Sequence, residues 1–329
     1  MQWYPWLNAP YKQVITRCQA GRGHHALLIQ SLPGMGDDAL VWGISRWLMC
    51  TAPDGIKSCG HCHGCQLMLA RNHPDWYSLA VEKGKSSLGV DAIRQVTDKL
   101  YHFAQQGGAK VIHIPDAARL TGAAANALLK TLEEPPADCW FFLGTHQPSA
   151  LPATLRSRCM TLHLPIPAEQ QSLHWLSSQV QADPAAITTA LRLAAGAPAA
   201  ALEFLNGELQ PRRLQFCQTL SGAIPDDSLS LLPQLSQDDV ALRLHWLMSL
   251  LLDCIKYQQN SLQWMTNTDQ QALIARLASV ISLPALHQSL ALWKQCRHRI
   301  LETPAVNHEL LITEALLDWE QLFLPSRPG

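Results

Sequence analysis

Up to about residue 166, short apolar runs alternate with stretches whose apolar residues recur at helical spacing. Ala26 to Gln30 (ALLIQ) predicts a buried strand, and Leu40, Ile44, Trp47 and Leu48 behind it fall at helical intervals. Val111 to Ile114 predicts a second short strand and Trp140 to Leu143 a third. Between them Thr121 to Glu134 predicts a helix. Thr121 supplies an N-cap oxygen, Leu128, Leu129 and Leu132 an apolar face, and Pro135-Pro136 a stop, because proline has no N–H and clashes with the preceding turn. Strands that alternate with helices imply a mostly parallel sheet covered on both faces, an α/β domain.

Beyond Pro165 and Pro167 the pattern becomes wholly helical. Asp183-Pro184 predicts an N-cap followed by proline at the first helical position, and Gly196 and Gly207 predict C-terminal caps. Val240 to Lys256 is so apolar that it predicts a helix deep in a core or at an oligomer contact. Pro284 and Asn307 mark two further helix starts, and Pro325 to Gly329 predicts a frayed tail. The boundaries expected from these signals are an α/β domain over 1–166, a small helical domain over 167–207 and a larger helical domain over 208–329.

Composition narrows the class. A length of 329 residues suits two or three domains, and 47% apolar residues is ordinary for a globular core. Only 16% are charged, which leaves surface for partners to cover. With 25 basic and 26 acidic residues, the overall charge carries no nucleic-acid signal. The first residues (MQWYPWL) lack the basic and apolar regions of a signal peptide, and no apolar run reaches the roughly 18 residues of a membrane span. The expected location is the cytoplasm, where the ten cysteines should stay free of disulfides.

Four of those cysteines are clustered as C-x8-C-x2-C-x2-C: Cys50, Cys59, Cys62 and Cys65. Two-residue gaps let thiolates converge on one tetrahedral ion, and Gly60 and Gly64 allow tight turns. Four thiolates leave no position for water, so the pattern predicts a structural zinc module over about 50–76. Free thiols in a loop are the plain alternative, and His61 and His63 are alternative ligands. Cys59 to His63 also matches the C-x-x-C-H haem-attachment pattern, but that leaves Cys50 and Cys65 without a role and needs export. A zinc deaminase would need an H-x-E ahead of the cysteines, which is missing.

Ser31 to Asp38 (SLPGMGDD) follows one predicted strand and opens a helix, the place and outline of a phosphate-binding Walker A loop. Gly34 and Gly36 keep the turn. Asp37 stands where the phosphate-binding lysine belongs and Asp38 where the magnesium-binding hydroxyl belongs. Carboxylates suit a helix N-terminus, where they satisfy free amides and offset the dipole. A plain glycine turn with an Asp cap explains the loop equally well, but Val111 to Asp116 (VIHIPD) has the form of a Walker B strand. Pro115 takes its first acidic place and Asp116 its second, and proline cannot hold magnesium.

Together with Asn126 to Pro136 (NALLKTLEEPP), Trp140 to Thr145 (WFFLGT), Leu155 to Cys159 (LRSRC) and His73-Pro74-Asp75, these motifs resemble the clamp-loader branch of the AAA+ family, in the form found in bacterial DNA polymerase III. The resemblance covers essentially the whole chain and is richest between residues 23 and 160. It implies an AAA+ α/β domain, a helical lid domain and a helical collar domain that holds an arc of subunits. It implies a place in a multisubunit DNA-directed DNA polymerase (nucleotidyltransferase) holoenzyme, loading a sliding clamp onto primed DNA during replication. The partners it implies are gamma/tau ATPase subunits, a delta subunit, the clamp through the assembly, and primer-template DNA.

Three positions of the family's ATPase pattern are altered: the lysine is Asp37, the Walker B aspartate is Pro115, and the nucleotide-sensing lid arginine falls near Ala199. Thr145 keeps the polar residue of sensor 1. The resemblance therefore implies a subunit that neither binds nor hydrolyses ATP. Ser157-Arg158-Cys159 keeps the family's SRC motif, whose arginine reaches across a subunit boundary. A fixed fork of donors suits the charge on a transferring phosphoryl group. By themselves Arg156 and Arg158 read as solvated charges, and the motif favours the functional reading of Arg158. An autonomous ATPase such as a helicase loader would need Lys at 37, and a stand-alone zinc-ribbon DNA-binding module would need a basic cluster, whereas Lys57 and Arg71 only flank this one.

Overall fold

The computed structural model describes residues 2–323 apart from 83, 107, 238 and 303–306, so the predicted frayed tail lies outside the described residues. The chain divides into two compact units at Pro167, Met1–Pro167 and Ala168–Gly329. No single helix among the described residues is long and apolar enough to cross a membrane.

In the first unit the elements run α1 (Asn8–Gln19), β1 (Ala26–Gln30), α2 (Asp37–Leu48), α3 (His63–Leu69), β2 (Trp76–Ser78), α4 (Val90–Leu100), β3 (Lys110–Ile114), α5 (Gly122–Glu133), β4 (Cys139–Thr145), α6 (Ala153–Arg156) and β5 (Met160–His163). The five strands form one parallel sheet in the order β2-β3-β4-β1-β5. β1, β3 and β4 read as short, mostly apolar runs, broken in β3 by buried His113, because helices cover both faces, and nearly all their residues are buried. β2 and β5 are edge strands of three and four residues, too short to stand out as periodic patterns. The Thr121 hydroxyl caps α5 by accepting the Ala124 N–H, as its position predicts.

Two backbones approach closely where β3 and β4 end. A Cβ on Gly144 would sit 2.2 Å from the carbonyl oxygen of Pro115, so only glycine lets the tips of the two strands meet. The His-Pro-Asp stretch is an anchor: buried Asp75 accepts the N–H groups of Gln105 (2.9 Å) and Gln106 (3.0 Å), which ties down the loop before β3.

The second unit is helical: α7 (Glu169–Gln179), α8 (Pro184–Leu193), α9 (Pro198–Asn206), α10 (Leu209–Ala223), α11 (Leu232–Leu235), α12 (Val240–Gln258), α13 (Gln271–Val280), α14 (Leu283–Glu302) and α15 (His308–Gln321). Asp183 and Asn307 cap their helices through their side chains. The segments over 167–207 and 208–329 share one continuous apolar core, from Leu176 and Ile187 to Trp293 and Trp319. α12 runs through it, with Trp246, Leu247, Leu250 and Leu251 buried inside the unit itself. A charged joint ties the two segments together. Buried Arg213 of α10 grips Asp269 and Asn267, and Asp269 also accepts from Thr189 of α8.

Both glycine caps differ in detail from the prediction. α8 ends in a Schellman motif, in which Gly196 N–H reaches Leu191 O (2.8 Å) and Ala195 N–H reaches Arg192 O (3.1 Å). The residue in the first left-handed position is Ala195, at φ 52°, one place before the glycine. Gly207 is extended, at φ −95° and ψ −170°, and ends α9 without a left-handed turn. A left-handed conformation costs an L-residue roughly 1–2 kcal/mol. Ala195→Gly should therefore stabilise the chain by about 1 kcal/mol, read as a higher urea midpoint at unchanged m-value.

Candidate functional site

The phosphate-loop outline is present at the carboxyl end of β1. Ser31 N–H bonds Thr145 O (3.3 Å), which joins the loop to the tip of β4, and Gly36 turns into α2 at φ 81°. Two aromatic side chains crowd the space over this loop. Trp6 donates its indole N–H to Met35 O (2.8 Å), Tyr4 stacks on Trp6 at 4.8 Å, and a Cβ on Gly36 would sit 2.5 Å from the Tyr4 ring. The N-terminal aromatics thus lie directly on the loop.

The two carboxylates of α2's first turn each face a histidine. Asp37 Oδ2 lies 3.5 Å from His146 Nε2, and Asp38 Oδ1 lies 3.4 Å from His113 Nε2. Burial raises the Asp37 carboxyl above the ordinary carboxylate range; His146 opposes the rise and Asp38 adds to it. Burial pushes His113, 5% exposed in the middle of β3, down to about 4, against the pull of Asp38. Of the other nucleotide positions, Thr145 is buried and its hydroxyl accepts Gln147 N–H (3.1 Å), while Asp116 turns back to cap Ala118 N–H (3.1 Å) beside Arg119. Pro115 presents its carbonyl to Gly144, and Ala199 lies in the first turn of α9 with only a methyl group to offer.

The four cysteines come together as predicted. The Sγ atoms of Cys50, Cys59, Cys62 and Cys65 lie within 4.8 Å of one another. The Cys59–Cys65 and Cys50–Cys62 separations are both 3.9 Å. Tetrahedral zinc with bonds of about 2.3 Å sets sulfurs about 3.8 Å apart, so the cluster has the size such an ion needs. Backbone N–H groups of Cys59, Cys62 and Cys65 point at the sulfurs of Cys50, Cys59 and Cys62, at 3.2, 3.3 and 3.4 Å. Such donors stabilise thiolates: the Cys62 N–H leads in holding the Cys59 thiol below its usual value, while burial raises Cys50. Gly64 is needed because a Cβ there would meet Met49 O at 2.5 Å. Both histidines stand outside the cluster. His61 is exposed, with Nδ1 on Cys59 O (2.9 Å), and His63 is exposed on the first turn of α3.

Ser157, Arg158 and Cys159 follow the short α6. The Ser157 hydroxyl donates to Thr154 O (3.1 Å), and burial pushes the Cys159 thiol up to about 11. Arg158 is half-buried. Its Nε donates to Glu133 Oε1 (2.6 Å), its second terminal nitrogen reaches the same oxygen, and its first donates to Thr154 O (2.7 Å). Arg156 is exposed and lies on the same short helix. Glu133, like His113, His146, Tyr4 and Trp6, was not singled out as a site residue in the sequence, because each owes its role to a contact distant along the chain.

This is an α/β nucleotide-binding fold of the AAA+ type that keeps the phosphate loop and lacks the lysine, the hydroxyl and the metal-binding aspartate. Three family profiles match consecutive segments: DNA polymerase III, delta subunit, over residues 7–168; the AAA+ ATPase lid domain of DNA polymerase III subunit delta' over 167–206; and DNA polymerase III, delta subunit, C terminal, over 208–321. The delta' subunit of Yersinia pestis is 53% identical, with 97% of this chain and 96% of the relative aligned, and that of Escherichia coli K12 is 51% identical, with 99% and 98% aligned. The chain belongs to the delta' family of DNA polymerase III, and is a subunit of that enzyme's clamp loader. The chain also resembles the tau subunit of Salmonella typhimurium, 33% identical over 156 residues, which are 47% of this chain and 24% of tau.

His113 makes stability depend on pH. An unfolded histidine protonates near pH 6.5, the folded one only near 4. Between those values the unfolded chain binds the extra proton, so stability falls as pH drops through the window, by up to about 3 kcal/mol. Asp37 acts in the opposite sense: its raised pKa gives stability that is present in acid and lost as pH rises through the folded value. His113→Gln should flatten the decline between pH 6.5 and 4 in urea titrations; an unchanged slope would assign the decline to other groups.

Proposed function

We propose that this chain is a non-hydrolysing subunit of the clamp loader, a scaffold that lends Arg158 to nucleotide held by an adjoining ATPase subunit. The observation that carries this reading is the N-terminus of α2, where Asp37 and Asp38 put negative charge at the place a triphosphate would occupy, each beside a histidine. Tyr4 and Trp6 over the loop and Pro115 at the Walker B position support it. The partners proposed are gamma/tau and delta subunits, with the sliding clamp and primer-template DNA reached through the assembly in the cytoplasm. The likeness to a tau subunit supports an ATPase neighbour of similar fold. An autonomous ATPase would need the lysine that Asp37 replaces.

The hold on Arg158 is compatible with a role in trans. A partly exposed pair such as Arg158–Glu133 contributes about 0–1 kcal/mol, weak enough for the guanidinium to exchange its carboxylate for a phosphate. The four cysteines are proposed to hold one structural zinc. The ion would cross-link the loop after α2 to α3, and with four thiolates it would leave no site for substrate.

Metal analysis of the reduced, tag-free chain should give one zinc per molecule. Cys62→Ser should release it and loosen residues 50–76 in hydrogen exchange while the sheet stays protected. A metal ratio near zero in the unmutated chain would refute zinc.

The isolated chain should show no magnesium-dependent ATP turnover. In the reconstituted clamp loader, Arg158→Ala should fold, keep its metal and assemble, yet lower DNA- and clamp-stimulated hydrolysis and slow clamp loading further. Arginine fingers contribute about 10³–10⁵ at one site, and the bulk loss is smaller because one boundary is affected. Arg158→Lys should rescue poorly, lacking the planar fork, and Arg156→Ala should do less. Unmutated rates with Arg158→Ala would leave the chain a scaffold alone.

A further inference from the structure

Two adjoining cavities on the outer side of α1 and α2, of about 490 and 220 Å³, share Trp3, Gly43 and Arg46. The larger also takes in Tyr11 and Lys12 of α1 and Lys57 from the cysteine module; the smaller adds Trp42 of α2 and Arg71. No carboxylate lines either one. Among the described residues, the side chains of Lys12, Arg46, Lys57 and Arg71 form no ion pair, and the Arg46 Nε atom is buried without a hydrogen-bond partner. The near-neutral chain has thus gathered four unpaired cations along one track.

The aromatic side chains on the track are held firmly. Trp3 lies over Gly43, where a Cβ would come within 2.8 Å of the indole, and meets Tyr11 edge-on at 5.4 Å, while 41% of Trp3 stays exposed. Tyr11 is fixed by its hydroxyl on Ile56 O (2.7 Å), and Trp42 by an edge contact with Trp76 at 5.1 Å. Fixed rings between unpaired cations make a stacking platform beside a phosphate track, the combination by which proteins hold single strands without reading their sequence. An acidic peptide would use the cations but has no need of the exposed indole.

We propose that this track binds a short stretch of single-stranded DNA, three or four nucleotides long, with phosphates on Lys12, Arg46, Lys57 and Arg71 and a base on Trp3. The full-length, metal-loaded chain should bind fluorescein-labelled oligo(dT) in anisotropy titrations. Four phosphate contacts give a slope of log K against log[salt] of about −3 for a single strand, and Arg46→Gln or Arg71→Gln should each reduce it by about 0.7. Trp3→Leu should weaken binding about 5- to 100-fold at an unchanged slope. Should that variant lower the melting temperature, Lys12→Gln with Lys57→Gln, two changes at the rim, tests the same track. A single nucleotide, dTMP, should compete only at millimolar concentration. Three results would overturn the proposal: no binding at 50 mM salt, binding that none of these substitutions alters, or displacement of the oligonucleotide by hexaglutamate as readily as by unlabelled oligo(dT).

Discussion

The α/β unit depends on how one helix N-terminus is neutralised. A phosphate loop feeding a helix concentrates free N–H groups and the positive end of a dipole at one point, and a bound anion ordinarily answers that charge. In this chain Asp37 and Asp38 answer it from within, and each carboxylate faces a histidine from a different strand or loop. The contact of Tyr4 with Gly36 and the buried histidine on β3 are arranged around that solution. The loop keeps its shape because the turn still links β1 to α2 and Ser31 still bonds the tip of β4.

Much of this was legible in the sequence, and the limits have physical causes. β1, β3 and β4 showed because buried parallel strands are mostly apolar runs, and α5 because it carries its own N-cap and proline stop. The edge strands β2 and β5 did not show, because three or four residues carry no period. The four cysteines are local, so their spacing alone gave the cluster. The histidines beside Asp37 and Asp38 are 109 and 75 positions away along the chain, beyond the reach of any local pattern. Glu133 was in view within the LEEPP stretch, but only the fold brings it to Arg158.

The helical unit shows a different limit. Proline and glycine marked segments at 167–207 and 208–329, yet the packing makes one body of them. Leu176, Ile187 and Ala201 from the first segment share a core with α12 to α15, and Arg213 ties α10 to Asp269, which in turn bonds α8. Parting the two segments would break the Thr189–Asp269 and Thr268–Ala185 hydrogen bonds and expose the shared apolar core to water, so they should resist separation. Local punctuation records where the chain turns. Whether two segments move apart is decided by the area and the polar groups they share.

The meeting of Gly144 with Pro115 bears on what a nucleotide site at this loop would take. A working phosphate-and-metal site at this loop would need an aspartate at 115, a lysine at 37, a hydroxyl at 38 and an aromatic ring withdrawn from Gly36. A lysine alone would stand beside His146 with Asp38 still in place, and an aspartate alone would add a third carboxylate to a crowded, partly buried cluster. Each single change would meet neighbours set for a different residue: Tyr4 against Gly36, the histidines beside Asp37 and Asp38, and the Pro115 carbonyl against Gly144. Because the loop lacks its lysine, its hydroxyl and its aspartate at once, no one substitution rebuilds the full set, and the missing groups would have to return together.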